Sequence, residues 1–443
     1  MSRVKRLVVV LGMVVGLSAG AFAGLQEYVD KPDDSYAYEI DSTTQVNGNT
    51  LVVVRLTSQN WQDTVWQHWL TLVVPSEIKH PEKAMLLISG GNSRSGPPSL
   101  EGSIEARVLN TVAKRTGTVA AVLNQVPNQP LFEGLSEDGL ISYTYEKYYT
   151  TGDDEWPLLL PMTKSVVRAM DAVQAVAKQN HDIDIKAFVV GGGSKRGWTT
   201  WLTGASDPRV VAIVPAVIDV LNMAPQMQHQ LKTYGAFSRM INDYTERGIQ
   251  KLITSPEGQK LLKVVDPYSY IDKVTMPKLL LLGTNDPYWC VDSANLYFPD
   301  LKGEKHLRYE PNGGHGLGPG VYSPILSFYT SVLTGEKIPE YGWKRLDDGA
   351  LEVTWDCPGT KAVLWQANSP NRDFRKSLWS SSPLEGDDGC VAKVDAPAEG
   401  WTAYYVEVVF PGLAGGAPYG LCTQMTVLPD TFPAHEQTTA TTQ

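Results

Sequence analysis

Phe188-Val189-Val190-Gly191-Gly192-Gly193-Ser194-Lys195-Arg196-Gly197-Trp198, followed by Thr199, Thr200 and Trp201, is the stretch on which the reading of this chain turns. An apolar, β-prone run stops at three glycines, presents one serine and re-enters a helix-like pattern at once. That is how a strand-to-helix elbow exposes a nucleophile, here Ser194. A strained turn needs residues without a Cβ wherever backbone packs on backbone or φ becomes positive, a need that Gly192 and Gly197 meet. The spacing is Gly-x-Ser-x-x-Gly, with Arg196 where the commoner pattern has glycine. A phosphate-cradling loop requires Gly-Lys followed by Ser or Thr, and here the serine precedes the lysine. A purely structural glycine-rich turn is the remaining rival, so the flanking chain has to decide.

Outward from the elbow, buried strand patterns alternate with helix patterns. Residues 84–89 and 118–123 are continuous apolar runs of the parallel kind, with a helix pattern over 99–114 between them. Further strands are expected at 210–217, 278–282 and 305–310, and a closing helix at 322–333. This is the beat of a doubly wound α/β sheet. Three β-rich runs between 36 and 74 precede it, turned at Asn47-Gly48-Asn49. Residues 218–265 read as mostly helical and, inserted here, would lie over the carboxyl ends of the strands as a lid. From about Pro339 short strands rich in Trp, Val and Tyr take over, which predicts a small all-β sandwich over 339–430. The Thr- and Gln-rich tail, 431–443, is expected to be disordered.

Three polar residues stand at the carboxyl ends of successive expected strands, in the order Ser194, Asp286, His315. That order belongs to the α/β-hydrolase fold. A serine needs a base within hydrogen-bond reach, and imidazole titrates in the right range. An aspartate on its Nδ1–H fixes the tautomer and stabilises the imidazolium. His306, the other histidine nearby, falls at the wrong end of its strand, whereas Asp219, after the preceding strand, is a rival for the acid. Candidate oxyanion donors are the N–H of Lys195 and the turn at Gly91 and Asn92. The stretch 128–156 reads as a long aromatic and acidic loop, and its Glu133 and Asp154 are candidates for holding a substrate ammonium. No cluster of ligating residues has metal spacing, and the chemistry calls for no cofactor.

Arg3, Lys5 and Arg6 precede an apolar run from Leu7 to Leu17, and Ala21-Phe22-Ala23 supplies small residues before Gly24: a secretory signal peptide over 1–23. The run is short for a membrane span, so a soluble secreted or periplasmic protein is expected, its first domain covering 24–338. The net charge of −10 argues against nucleic acid or anionic membrane as partner. Four cysteines after export are compatible with disulfides, and Cys357 with Cys390 would close a loop worth roughly 3 to 4 kcal/mol.

Gly-Gly-Ser-Lys-Arg-Gly-Trp-Thr-Thr-Trp-Leu at 192–202, Gly-Thr-Asn-Asp-Pro-Tyr at 283–288, Pro-Asn-Gly-Gly-His at 311–315 and Asp-Phe-Arg at 373–375 resemble the PhoPQ-activated pathogenicity-related proteins. The resemblance spans nearly the whole mature chain. It implies an exported α/β-hydrolase, linked in some pathogens to virulence and peptide resistance, with eukaryotic relatives of dipeptidyl-peptidase appearance. A Gly-x-Ser-Arg-x-Gly elbow also occurs in glucuronoyl esterases, which keeps a carbohydrate ester open. The expected function is an exported serine hydrolase acting on a peptide or ester. The alternative is a non-catalytic binding protein on a hydrolase scaffold.

Overall fold

The computed structural model describes residues 24–98 and 104–435. The proposed signal peptide lies outside these residues, as do the first positions of the helix expected from 99. After a short helix α1 (Leu25–Asp30), strands β1 (Ala37–Val46), β2 (Asn49–Trp61) and β3 (Thr64–Val74) form an antiparallel meander, with Asn47 and Gly48 both at positive φ in its first turn. Strands β4 (Lys83–Ile88), β5 (Val119–Leu123), β6 (Ala187–Gly193), β7 (Val210–Ala216), β8 (Lys278–Gly283) and β9 (Lys305–Glu310) are parallel, in the order β5-β4-β6-β7-β8-β9. The meander joins through β3, antiparallel to β5. Both faces are covered, which is why these strands read as unbroken apolar runs. Phe188, Val190, Leu280 and Leu282 face a core beneath α4 (Leu159–His181) and α5 (Lys195–Ser206). Val189, Leu279 and Leu281 face the opposite core, beneath α2 (Ile104–Thr116) and α10 (Tyr322–Thr334).

The stretch read as a loop before α4 contains a fifteen-residue helix, α3 (Glu137–Thr151). Tyr and Thr fill it without a regular apolar stripe, so periodicity gave no signal. Its start was nonetheless marked: Ser136 precedes Glu137 and Asp138, acidic residues that suit the positive end of a helix. The insertion after β7 is helical, as expected, with α6 (Met223–Tyr234), α7 (Asn242–Glu246), α8 (Ile249–Leu252) and α9 (Pro256–Val265).

Beyond residue 339 two sheets pack together. Strands β10 (Tyr341–Arg345), β11 (Leu351–Trp355) and β14 (Gly389–Ala392) make one sheet, while β12 (Lys361–Ser369), β13 (Ser380–Leu384), β15 (Trp401–Phe410), β16 (Tyr419–Cys422) and β17 (Thr426–Leu428) belong to the other. The larger sheet is not free-standing: β16 pairs with β9 at Cys422 and Leu307, so it continues the central sheet. The four cysteines are free thiols. The expected Cys357–Cys390 bridge is not formed, because Cys390 is buried on β14 opposite Val353 while Cys357 lies beyond the end of β11, half-buried beside Pro358. The start of the tail is also ordered, against expectation. Phe432 covers the Arg372 guanidinium at 4.3 Å and meets His229 edge-on, a cation–π contact that composition does not reveal.

Candidate active site

Ser194 sits between β6 and α5 with φ 57 and ψ −128, a conformation normally left to glycine. What enforces it is close packing of the elbow. A Cβ on Gly192 would come within 2.8 Å of the Arg196 carbonyl, and one on Gly197 within 2.7 Å of Ile218 and 2.9 Å of two carbonyl oxygens. The Ser194 N–H is fixed by the Ala216 carbonyl at 2.8 Å. The first N–H groups of α5, that of Lys195 leading, have no partner within the helix.

Asp286 and His315 meet as expected from their order. His315 Nδ1 lies 2.8 Å from Asp286 Oδ2, and the other oxygen of Asp286 accepts the Tyr288 N–H at 2.9 Å. The two turns that carry them interlock: Asn285 N–H donates to the Gly313 carbonyl, and a Cβ on Gly283 would lie 2.5 Å from that oxygen. Tyr288 lays its ring against the imidazole, centroids 4.3 Å apart. His315 Nε2, the atom that would take the serine proton, is buried and makes no hydrogen bond. Ser194 and His315 line one cavity of about 80 Å³ between the strand ends and the helices after β7.

The rival acid, Asp219, is placed elsewhere. It is buried beside Tyr297, burial pushes its carboxyl up to about 7, and the His315 Nδ1 bonds Asp286 in its place. The oxyanion candidates divide. Lys195 follows the serine directly, whereas Gly91 and Asn92 are exposed and outside the cavity wall, Asn92 Oδ1 accepting the Arg94 N–H instead. Gly90, one residue earlier, makes room for the Arg196 guanidinium.

Glu133 and Asp154 also stand apart from the cavity, Glu133 exposed. The acidic residue that does line it is Asp138, in the first turn of α3. Two cations at the positive end of α5 are unfavourable alone, and α3 supplies their partners. Arg196 grips Glu137 through both oxygens at 2.7 and 2.8 Å, and Lys195 Nζ lies 2.8 Å from Glu137 and 3.5 Å from Asp138. Burial pushes the Glu137 carboxyl up, but Arg196 and then Lys195 outweigh that and hold it at about 2. Asp138 accepts the hydroxyls of Tyr244 at 3.2 Å and Tyr288 at 3.0 Å. A partly buried polar chain therefore runs from the elbow through Asp138 to the ring on His315. Sequence reading missed Asp138 because it missed α3. Tyr288, two residues after the acid in Asp286-Pro287-Tyr288, was within reach.

Residues 25–375 match the model of the PhoPQ-activated pathogenicity-related protein family. The chain belongs to this family. Its similarity to autocrine proliferation repressor protein A of Dictyostelium discoideum is 33% identity over 441 residues, covering 90% of this chain and 88% of that protein. Among solved structures it is similar to acetyl xylan esterase 1 from Thermoanaerobacterium sp. JW/SL YS485, at 16% identity and a TM-score of 0.48 over 70% of this chain and 92% of that one. It is also similar to a glucuronoyl esterase from Solibacter usitatus, at 14% identity and a TM-score of 0.40 over 67% of this chain and 86% of the esterase. For this family member, Asp-Phe-Arg at 373–375 has a local role: Asp373 pairs with Arg375 at 2.6 Å, and Arg375 stacks on Tyr234 of α6 at 3.9 Å. The motif ties the C-terminal region to the helices over the cavity.

Proposed function

We propose that this PhoPQ-related protein is an exported serine hydrolase that cleaves a carboxylic ester through an acyl-enzyme. The observation that carries the reading is that a strained Ser194 and a His315 whose Nδ1 is held by Asp286 and whose buried Nε2 has no partner line the same cavity. Ser194 Oγ attacks the carbonyl as His315 Nε2 takes its proton; the Asp286 carboxylate stabilises the imidazolium, which then protonates the departing alkoxide. The Lys195 N–H at the start of α5 faces the charge on the oxyanion. Water, activated by the same imidazole, releases the acid. Export rests on the tripartite pattern at 1–23, and a periplasmic or extracellular location follows from it.

An ester is favoured over a peptide with a free N-terminus. Among the described residues Asp138 is the one carboxylate on the cavity wall, and it is already held by two tyrosine hydroxyls and Lys195. A second reading, a non-catalytic signalling or binding protein, draws on the relative named as a proliferation repressor. Hydrolysis of short aryl esters by wild type, lost in Ser194→Ala, supports the enzyme. Well-folded protein with no turnover of esters or of free and N-acetylated peptides favours the second reading.

A further inference from the structure

The cavity beside Ser194 has walls of two kinds. Aliphatic, methionine and aromatic side chains make up most of them, and few polar groups interrupt these. On the charged side, Lys195 and Arg196 balance Glu137 and Asp138, so the cluster behind the cavity is neutral and no cation or carboxylate on the wall is left without a partner. A guest with an ammonium or a carboxylate would lose its hydration there with nothing to replace it. Besides His315 Nε2, which is kept for the reaction, three of the described wall residues carry buried polar atoms without a hydrogen bond: the Tyr145 hydroxyl, Gln250 Oε1 and Trp289 Nε1. Tyr145 and Trp289 are only 2% and 8% exposed, so bulk water does not reach them freely. A buried polar group left unpaired costs about 1 to 3 kcal/mol. Tyr145 contrasts with its neighbours Tyr244 and Tyr288, whose hydroxyls are spent on Asp138.

We infer that the substrate group held here is compact, uncharged and mainly apolar, and that it carries a hydroxyl or similar neutral group beyond the scissile ester. That group receives a hydrogen bond from Tyr145 or Trp289 and donates one to Gln250. This deepens the ester-hydrolase reading above and rests on it for the reacting bond, though not for the recognition.

The experiment compares phenyl esters of butyric, 3-hydroxybutyric, 4-aminobutyric and succinic acids, then repeats the comparison with the same groups on the alcohol side of an acetate. In at least one series the hydroxylated compound exceeds the plain one by about tenfold in kcat/KM, and both charged compounds fall at least about 100-fold below it. Tyr145→Phe, Gln250→Leu and Trp289→Phe each shrink the hydroxyl preference as a ratio. Binding of the four corresponding amides to Ser194→Ala, read by tryptophan fluorescence, ranks them in the same order without chemistry. Turnover with no such ranking, or a ranking that survives all three substitutions, overturns this inference and leaves the hydrolase standing. The ranking in binding with no turnover in wild type upholds the cavity's preference and removes the hydrolase reading instead.

Discussion

Replacing Ser194 by glycine stabilises the protein while removing its nucleophile. At φ 57 and ψ −128 a side chain with a Cβ is strained by about 1 to 3 kcal/mol. Alanine keeps that Cβ and so keeps the strain. Glycine releases it, but returns about 0.4 to 1 kcal/mol through the greater freedom of the unfolded chain. The serine hydroxyl makes no capping bond to α5, so neither substitution forfeits one. The net expectation is that Ser194→Gly is about 0 to 2.6 kcal/mol more stable than Ser194→Ala. Urea unfolding of the two variants, compared at equal m-value, measures the difference. If the glycine variant is weaker than the alanine variant, the elbow is not strained and a built nucleophile loses its energetic support.

Asp286→Asn lowers kcat/KM by on the order of 10⁴, as expected when the wrong imidazole tautomer is favoured, whereas Asp219→Asn leaves the rate within about threefold, since Asp219 is not bonded to His315; the opposite ranking in steady-state assays exchanges their roles. Asp219 has a folded pKa of about 7, above its ordinary 3.8. The folded state therefore holds the extra proton between those values, and stability falls as pH rises through them. Asp219→Asn flattens that slope in denaturation curves at pH 5 and pH 8. Asp292 behaves in the opposite sense. Burial pushes it up, but hydrogen bonds from His229 and Arg372 outweigh this and hold it at about 2, so its contribution is present above about pH 4 and is lost as pH falls toward 2. Unfolding of Asp292→Asn should show a weaker acid dependence over that window. Finally, native thiol titration finds at most Cys357 reactive. Burial raises the thiols of Cys290 and Cys422 to about 12 and that of Cys390 to about 11, and these titrate only after unfolding. A Cys357–Cys390 peptide in a non-reducing digest contradicts this.

The parallel sheet was legible because each of its strands is buried on both faces, leaving runs such as Leu279-Leu280-Leu281-Leu282 that no other element explains. The elbow and the Asp286–His315 pairing followed from glycine placement and from chain order, both local or topological signals. What the sequence hid depended on partners far away in the chain. Lys195 and Arg196 had no readable role until α3 brought Glu137 and Asp138, some 58 residues earlier in number, against them. Glu133 and Asp154 are carboxylates like Asp138, but they flank α3, whereas Asp138 lies in its first turn on the cavity wall. The C-terminal strands were visible as strands, yet nothing in their alternation announces that β16 would extend the central sheet at Cys422.

Labelling with a fluorophosphonate, followed by peptide mapping, tests the central claim most directly, because the reagent modifies a serine only where an adjacent base makes it nucleophilic. The account predicts one adduct, on Ser194, formed rapidly in wild type and slowed by orders of magnitude in both His315→Ala and Asp286→Asn. No adduct on Ser194 in folded wild-type protein, or an adduct whose rate ignores the loss of His315, contradicts it.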